Sequence, residues 1–96
     1  MKKGEKKAAS WYVYIVSCSD GTLYTGITTD LERRIAEHNS EKGGARYTRS
    51  RQPVRLVYSE TAENRSEAAR REYRIRKMPR AEKRALGKGK MRSMRN

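Results

Sequence analysis

Two strand-like segments run straight into a helix within residues 11–39, WYVYIVSCSDGTLYTGITTDLERRIAEHN, and this order limits the fold more than any other feature of the chain. Trp11 to Val16 is rich in aromatic and β-branched residues, which favour extended backbone. Ser19-Asp20-Gly21 supplies turn chemistry, because Gly accepts positive φ and Asp hydrogen-bonds its own backbone. Thr22 to Ile27 resumes a strand and completes a hairpin. Thr29 followed by Glu32 has the spacing of a capping box and starts a helix through about Asn39.

Downstream, Ser40 to Pro53 reads as a loop containing Gly43-Gly44 and four bases, Lys42, Arg46, Arg49 and Arg51. Val54 to Tyr58 is a third strand. A second helix begins near Asn64, with Glu67 at a favourable third position, and runs to Met78. Pro79 breaks it and opens a short third helix over Arg80 to Leu86. The expected architecture is α+β, a small three-stranded, mostly antiparallel sheet flanked by helices. The expected organisation is a basic arm over 1–10, one domain over 11–86, and a disordered basic tail over 87–96.

Charge is concentrated at the ends. The chain has 96 residues and a net charge of +13, of which residues 1–10 hold +3, residues 79–96 hold +6, and the middle only +4. Such a balance favours a polyanionic partner, since each neutralised phosphate releases condensed counterions. It equally suits a ribosome-associated protein or a membrane-surface peptide, so charge alone assigns no function. No apolar run approaches the ~20 residues of a membrane span, and the N-terminus lacks the apolar core of a signal peptide. Cys18 is the sole cysteine, which excludes an intrachain disulfide and a Cys-rich zinc module. A cytoplasmic, reduced protein with no membrane partner is the economical reading.

Helical geometry, about 100° per residue, assigns faces. Arg34 and His38 border the buried stripe set by Leu31 and Ile35, whereas Arg33 points to solvent. The structural alternative makes Arg34 a snorkelling surface residue and His38 a terminal cation helping the helix dipole. On the second helix Glu72 falls within the apolar stripe of Ala68 and Ile75, while Arg70, Arg71, Arg74 and Lys77 fall outside. A carboxylate facing the core is costly unless paired or bound to a metal, so Glu72 is a metal ligand, a catalytic group or an internal partner of Arg34. Tyr14 and Tyr24 are strand residues that serve packing or catalysis. A two-residue Asp20-Gly21 turn would pair Ser17 with Tyr24 and separate the two tyrosines onto opposite faces. Both reach one site only if the hairpin has a longer loop or a bulge.

These residues resemble the GIY-YIG nuclease superfamily, in particular its small stand-alone bacterial members. Tyr12-Val13-Tyr14 stands where the first signature triplet belongs and Tyr24-Thr25-Gly26 where the second does. Arg34 and His38 follow at the family's intervals, and Glu72 opens Glu-Tyr-Arg-Ile-Arg-Lys, similar to the family's metal-binding glutamate. The likeness spans about residues 11–78 and includes the loop from Gly43 to Thr48. Tyr12 replaces the first triplet's glycine, and a late asparagine of several members has no evident counterpart.

The resemblance implies a metal-dependent DNA endonuclease hydrolysing phosphodiester bonds in DNA repair or processing, with no small-molecule cofactor. Tyr14, Tyr24, Arg34, His38 and Glu72 would be catalytic. Glu72 would hold a single, weakly bound Mg²⁺ or Mn²⁺, because one carboxylate leaves most of the coordination sphere to water and substrate phosphate. Either tyrosine could deprotonate the attacking water, with His38 relaying the proton. Lys42, Arg46, Tyr47, Arg49 and Arg51 would bind the nucleic acid, which is expected to be DNA, branched or damaged DNA included, with RNA left open. The alternative is a nucleic-acid-binding protein that keeps the fold without turnover.

Overall fold

The computed structural model describes residues 11–41 and 43–95, with side chains described through Gly87. The expected N-terminal arm and Lys42 lie outside the described residues. Three strands, β1 (Trp11–Ser17), β2 (Leu23–Thr28) and β3 (Arg55–Ala62), form an antiparallel sheet in the order β2-β1-β3. Among the described residues four helices accompany it: α1 (Leu31–His38), α2 (Arg46–Arg49), α3 (Arg65–Arg76) and α4 (Arg80–Arg95). This is the expected α+β architecture.

β1 is central, and Val13 to Val16 are all buried. Alternation divides them between two layers. Val13 and Ile15 pack with Ala68 and Ile75 of α3 on one face. Tyr14 and Val16 pack with Cys18, Val54, Leu31 and Ile35 on the other, beneath α1. The hairpin decides where the second tyrosine goes. Ser17 pairs with Leu23 rather than with Tyr24, so Cys18 to Thr22 form the connection, and Val16 faces Tyr24 while Tyr14 faces Gly26. Asp20 accepts from the Thr22 backbone N–H and hydroxyl, which stabilises this longer loop. Tyr14 and Tyr24 therefore share the α1 face.

Local details depart from the sequence-based expectation. The cap of α1 is Asp30, whose carboxylate accepts from Arg33 N at 3.1 Å, not Thr29. Thr28 Oγ1 accepts the Asp30 N–H, which holds the chain at the turn from β2 into the helix. α2 forms inside the segment read as a loop. β3 runs to Ala62, because Ser59, Glu60, Thr61 and Ala62 still pair with Trp11 to Tyr14. Asn64 caps α3 through Glu67 N at 2.8 Å. Arg71, assigned to solvent by its helical angle, instead points inward along the sheet and bonds Glu60 at 2.7 Å.

α4 continues past Leu86, where the sequence ended the domain, to Arg95. Leu86 packs against the α3-side core. A Cβ on Gly87 would lie 2.8 Å from the Val57 carbonyl oxygen, so glycine lets helix and strand meet. Arg80 donates to the Gly21 carbonyl at 2.7 Å and ties the start of α4 to the hairpin loop.

Candidate active site

Tyr14 projects from the middle of β1 across its neighbour β2. Its ring passes over Gly26, where a Cβ would lie 2.5 Å from the hydroxyl. That hydroxyl meets His38 Nε2 at 2.8 Å. His38 closes α1 and has no exposed surface, so the sequence alternative of a solvent-facing terminal cation does not hold. Its other ring nitrogen, Nδ1, lies 2.8 Å from Thr48 Oγ1 on α2. Gly44, at φ +79°, lets the loop fold directly onto His38, since a Cβ there would come within 2.7 Å of the His38 Cα. Tyr24 sets its ring edge-on to His38 at 5.4 Å and stacks beside Tyr47 at 5.9 Å.

Arg34 lies one turn before His38, with 30% of its side chain exposed. It donates to Glu37 at 2.8 Å. The internal Arg34–Glu72 pair considered from the sequence is therefore replaced by a local one. Burial raises the Tyr14 pKa above the ordinary tyrosine value, and the neighbouring Arg34 guanidinium opposes that rise. Burial lowers the His38 pKa below 6.5, and the positive charge of Arg34 lowers it further. The resting pair is thus a protonated phenol beside a neutral imidazole.

Glu72 reaches the same region from α3, on the opposite layer. Ala68, Arg71, Glu72 and Ile75 form the inner stripe of this helix; Arg71 turns toward β3 and Glu72 toward the β2 edge. There Glu72 lines a cleft of about 430 Å³ with Leu23, Tyr24, Thr25, Tyr47, Arg76 and Lys83. Its side chain is 22% exposed, and its nearest cation, Arg76, is 3.7 Å away and largely in solvent. A half-buried carboxylate with so loose a partner fits a site for a hydrated divalent ion. Among the described residues no group of three His, Cys, Asp or Glu side chains is placed to hold a metal. An ion at Glu72 would therefore share its coordination with water and a bound phosphate.

The structure brings Tyr14, Tyr24, Arg34, His38 and Glu72 around one edge of the sheet. The basic loop is more divided. Arg46 and Arg49 are exposed on α2. Arg51 bonds Asp20 at 3.1 Å and the Tyr47 carbonyl at 2.8 Å, and lies 3.9 Å from the Tyr47 ring centre, so its contacts brace the loop. Sequence reasoning missed Thr48, Glu37, Arg76 and Lys83. Lys83 follows Glu72 by eleven residues, and only the break at Pro79 brings α4 back beside the cleft.

The model of the GIY-YIG catalytic domain matches residues 10–85. A UPF0213 protein of Desulfotalea psychrophila is 58% identical over 88 residues, covering 92% of this chain and 80% of the relative. A UPF0213 protein of Halobacterium salinarum is 57% identical over 75 residues, covering 78% and 96%. Among solved structures, the solution NMR structure of a UPF0213 protein from Bacillus halodurans is 49% identical, with a TM-score of 0.50 and coverage of 79% and 80%. That of an E. faecalis protein is 42% identical, with a TM-score of 0.55 and coverage of 81% and 82%.

Proposed function

Since the chain belongs to the GIY-YIG catalytic domain family, a nuclease superfamily whose members are generally divalent-metal dependent, we propose that it is a metal-dependent DNA endonuclease. The observation that carries this reading is the convergence of Tyr14, Tyr24, Arg34, His38 and Glu72 from β1, β2, α1 and α3 at the β2 edge. A packing role explains neither a buried tyrosine–histidine hydrogen bond beside an arginine nor a half-buried carboxylate facing a cleft.

Phosphodiester hydrolysis asks the residues to hold the phosphate, to deprotonate the attacking water and to ease the departure of O3′. The phosphate needs cations, and the partly exposed guanidinium of Arg34 supplies donors suited to its equatorial oxygens. Arg76 and Lys83 offer further positive charge along the cleft for neighbouring phosphates. The attacking water must lose a proton. In this reading Tyr14 receives that proton as it passes its own to His38 Nε2, 2.8 Å away. The resulting hydroxide attacks phosphorus, the P–O3′ bond breaks, and the O3′ alkoxide takes a proton from solvent water, leaving a 5′-phosphate and a 3′-hydroxyl. Tyr24 touches His38 with its ring and lines the cleft beside Glu72. A divalent ion such as Mg²⁺ or Mn²⁺ at Glu72 would neutralise charge on the phosphate and the departing oxygen.

Labelled single-stranded, duplex and branched DNA, incubated with the protein and Mg²⁺ or Mn²⁺, test the reading. It expects cleavage with 5′-phosphate ends, and a Tyr14→Phe loss of roughly 10²–10⁴-fold in rate, the usual worth of a positioned acid–base group. Binding without cleavage of any substrate would instead favour a non-catalytic nucleic-acid-binding role.

A further inference from the structure

The Tyr14–His38 contact has a direction, and the neighbouring atoms fix it. The Tyr14 hydroxyl is almost wholly buried, with 1% of the residue exposed. The nearby Arg34 guanidinium has only protons to offer. Among the described residues, the hydrogen-bond acceptor within reach of the phenol proton is therefore His38 Nε2 at 2.8 Å. Nε2 must then carry a lone pair, and the single proton of the neutral ring belongs on Nδ1.

The far side of the ring agrees. Nδ1 lies 2.8 Å from Thr48 Oγ1, and Thr48 Oγ1 lies 3.0 Å from the Ala45 carbonyl oxygen. If the threonine proton goes to that carbonyl, the threonine oxygen is free to accept from Nδ1–H. The phenol, imidazole and threonine protons then each have an acceptor. The opposite tautomer would aim Nε2–H at a hydroxyl whose own proton has nowhere to go. There Nδ1 would accept from the Thr48 hydroxyl at 2.8 Å and, weakly, from the Ala45 N–H at 3.5 Å, so the two tautomers are separated at the Tyr14 end, where the phenol proton has an acceptor in one of them alone. Thr48 is held firmly for this task, being fully buried, with its backbone N–H bonded to the Ala45 carbonyl at 3.1 Å.

We propose that Thr48 is a positioning residue that holds His38 in its Nδ1–H tautomer, keeping the Nε2 lone pair available to take the Tyr14 proton. The tautomer is argued from the acceptor that the Tyr14 proton needs; its catalytic use rests on the nuclease reading above. Without the threonine oxygen the Nδ1–H form loses its acceptor, and the ring turns its lone pair away from the tyrosine.

His38 is the only histidine in the chain, so imidazole ¹⁵N NMR of the full-length protein reads this site without ambiguity. At neutral pH the wild-type spectrum is expected to show the protonated nitrogen as Nδ1. Thr48→Val keeps the side chain's shape and removes its oxygen, and is expected to raise the Nε2–H population. Thr48→Ser restores the oxygen and is expected to restore the wild-type spectrum. Cleavage gives a parallel readout, with a kcat loss of about tenfold or more in Thr48→Val at unchanged KM, recovered in Thr48→Ser. A wild-type ring protonated on Nε2 overturns the proposal, as does a Thr48→Val spectrum identical to wild type. Should Thr48→Val not fold, the wild-type spectrum decides alone. A wild type that cleaves nothing would sink the nuclease reading, and the NMR result would still decide the tautomer.

Discussion

A Cβ on Gly26 would sit 2.5 Å from the Tyr14 hydroxyl and 2.7 Å from its ring carbon Cζ. The last residue of the second triplet is thus the absence of a side chain over which the first triplet's tyrosine lies. Gly26→Ala is expected to push the Tyr14 hydroxyl off His38, costing about 1–3 kcal/mol of stability through overpacking. Chemical denaturation would measure the loss, and an unchanged stability would show that Tyr14 does not need this space. His38 gives a pH signature. Its folded pKa lies below 6.5 because the ring is buried and Arg34 is near. The unfolded chain therefore binds the proton first, and the stability tied to the neutral ring is present above about pH 6.5 and lost as pH falls through the depressed folded pKa. Urea midpoints should hold from about pH 8 to 7 and decline from about 6.5 to 5. A midpoint that rises on acidification over that interval would contradict the buried, neutral histidine.

α3 shows what the sequence conveys about an element and what it withholds. The inward position of Glu72 was legible, because it shares a helical stripe with Ala68 and Ile75. Arg71 shares that stripe too but reads as surface, since its partner Glu60 is eleven residues away on β3 and the pairing exists only once the sheet forms. Glu60 also accepts from Tyr58, so the trio pins α3 to the strand. Arg71→Ala is expected to lower stability by about 1–2 kcal/mol, given the partial exposure of both charges, while leaving the cleft residues in place. Equal stability in urea would show the bridge to be neutral. The same logic explains α4. Its Gly87-Lys88-Gly89-Lys90 stretch looks unfit for a helix, yet Gly87 is where the helix touches Val57. The hairpin was legible only as a condition: Asp20-Gly21 suggests a tight turn, and the longer connection from Cys18 to Thr22 is what unites the two tyrosines.

At the scale of the whole molecule, the sheet separates the apolar layer under α3 from the layer under α1 that holds Tyr14 and His38, and the candidate site lies where both reach the β2 edge. The ordered tyrosines, arginine, histidine and glutamate were legible in the sequence as candidates, and their convergence at one edge is what the fold adds. Thr48, Arg76 and Lys83 were not readable, because each depends on a loop or helix folding back from elsewhere in the chain. No helix among the described residues is long and apolar enough to cross a membrane, and the net charge of +13 is suited to a polyanion. Glu72 bears most directly on the proposed metal-dependent activity. Single-turnover cleavage of labelled DNA by wild type and Glu72→Ala, across a titration of Mg²⁺ or Mn²⁺, with binding followed in parallel, tests it. The prediction is metal-dependent cleavage by wild type that is abolished in Glu72→Ala, with DNA affinity retained. Cleavage by Glu72→Ala at the wild-type rate would contradict it and return Glu72 to the structural role of an inward-facing partner for Arg76.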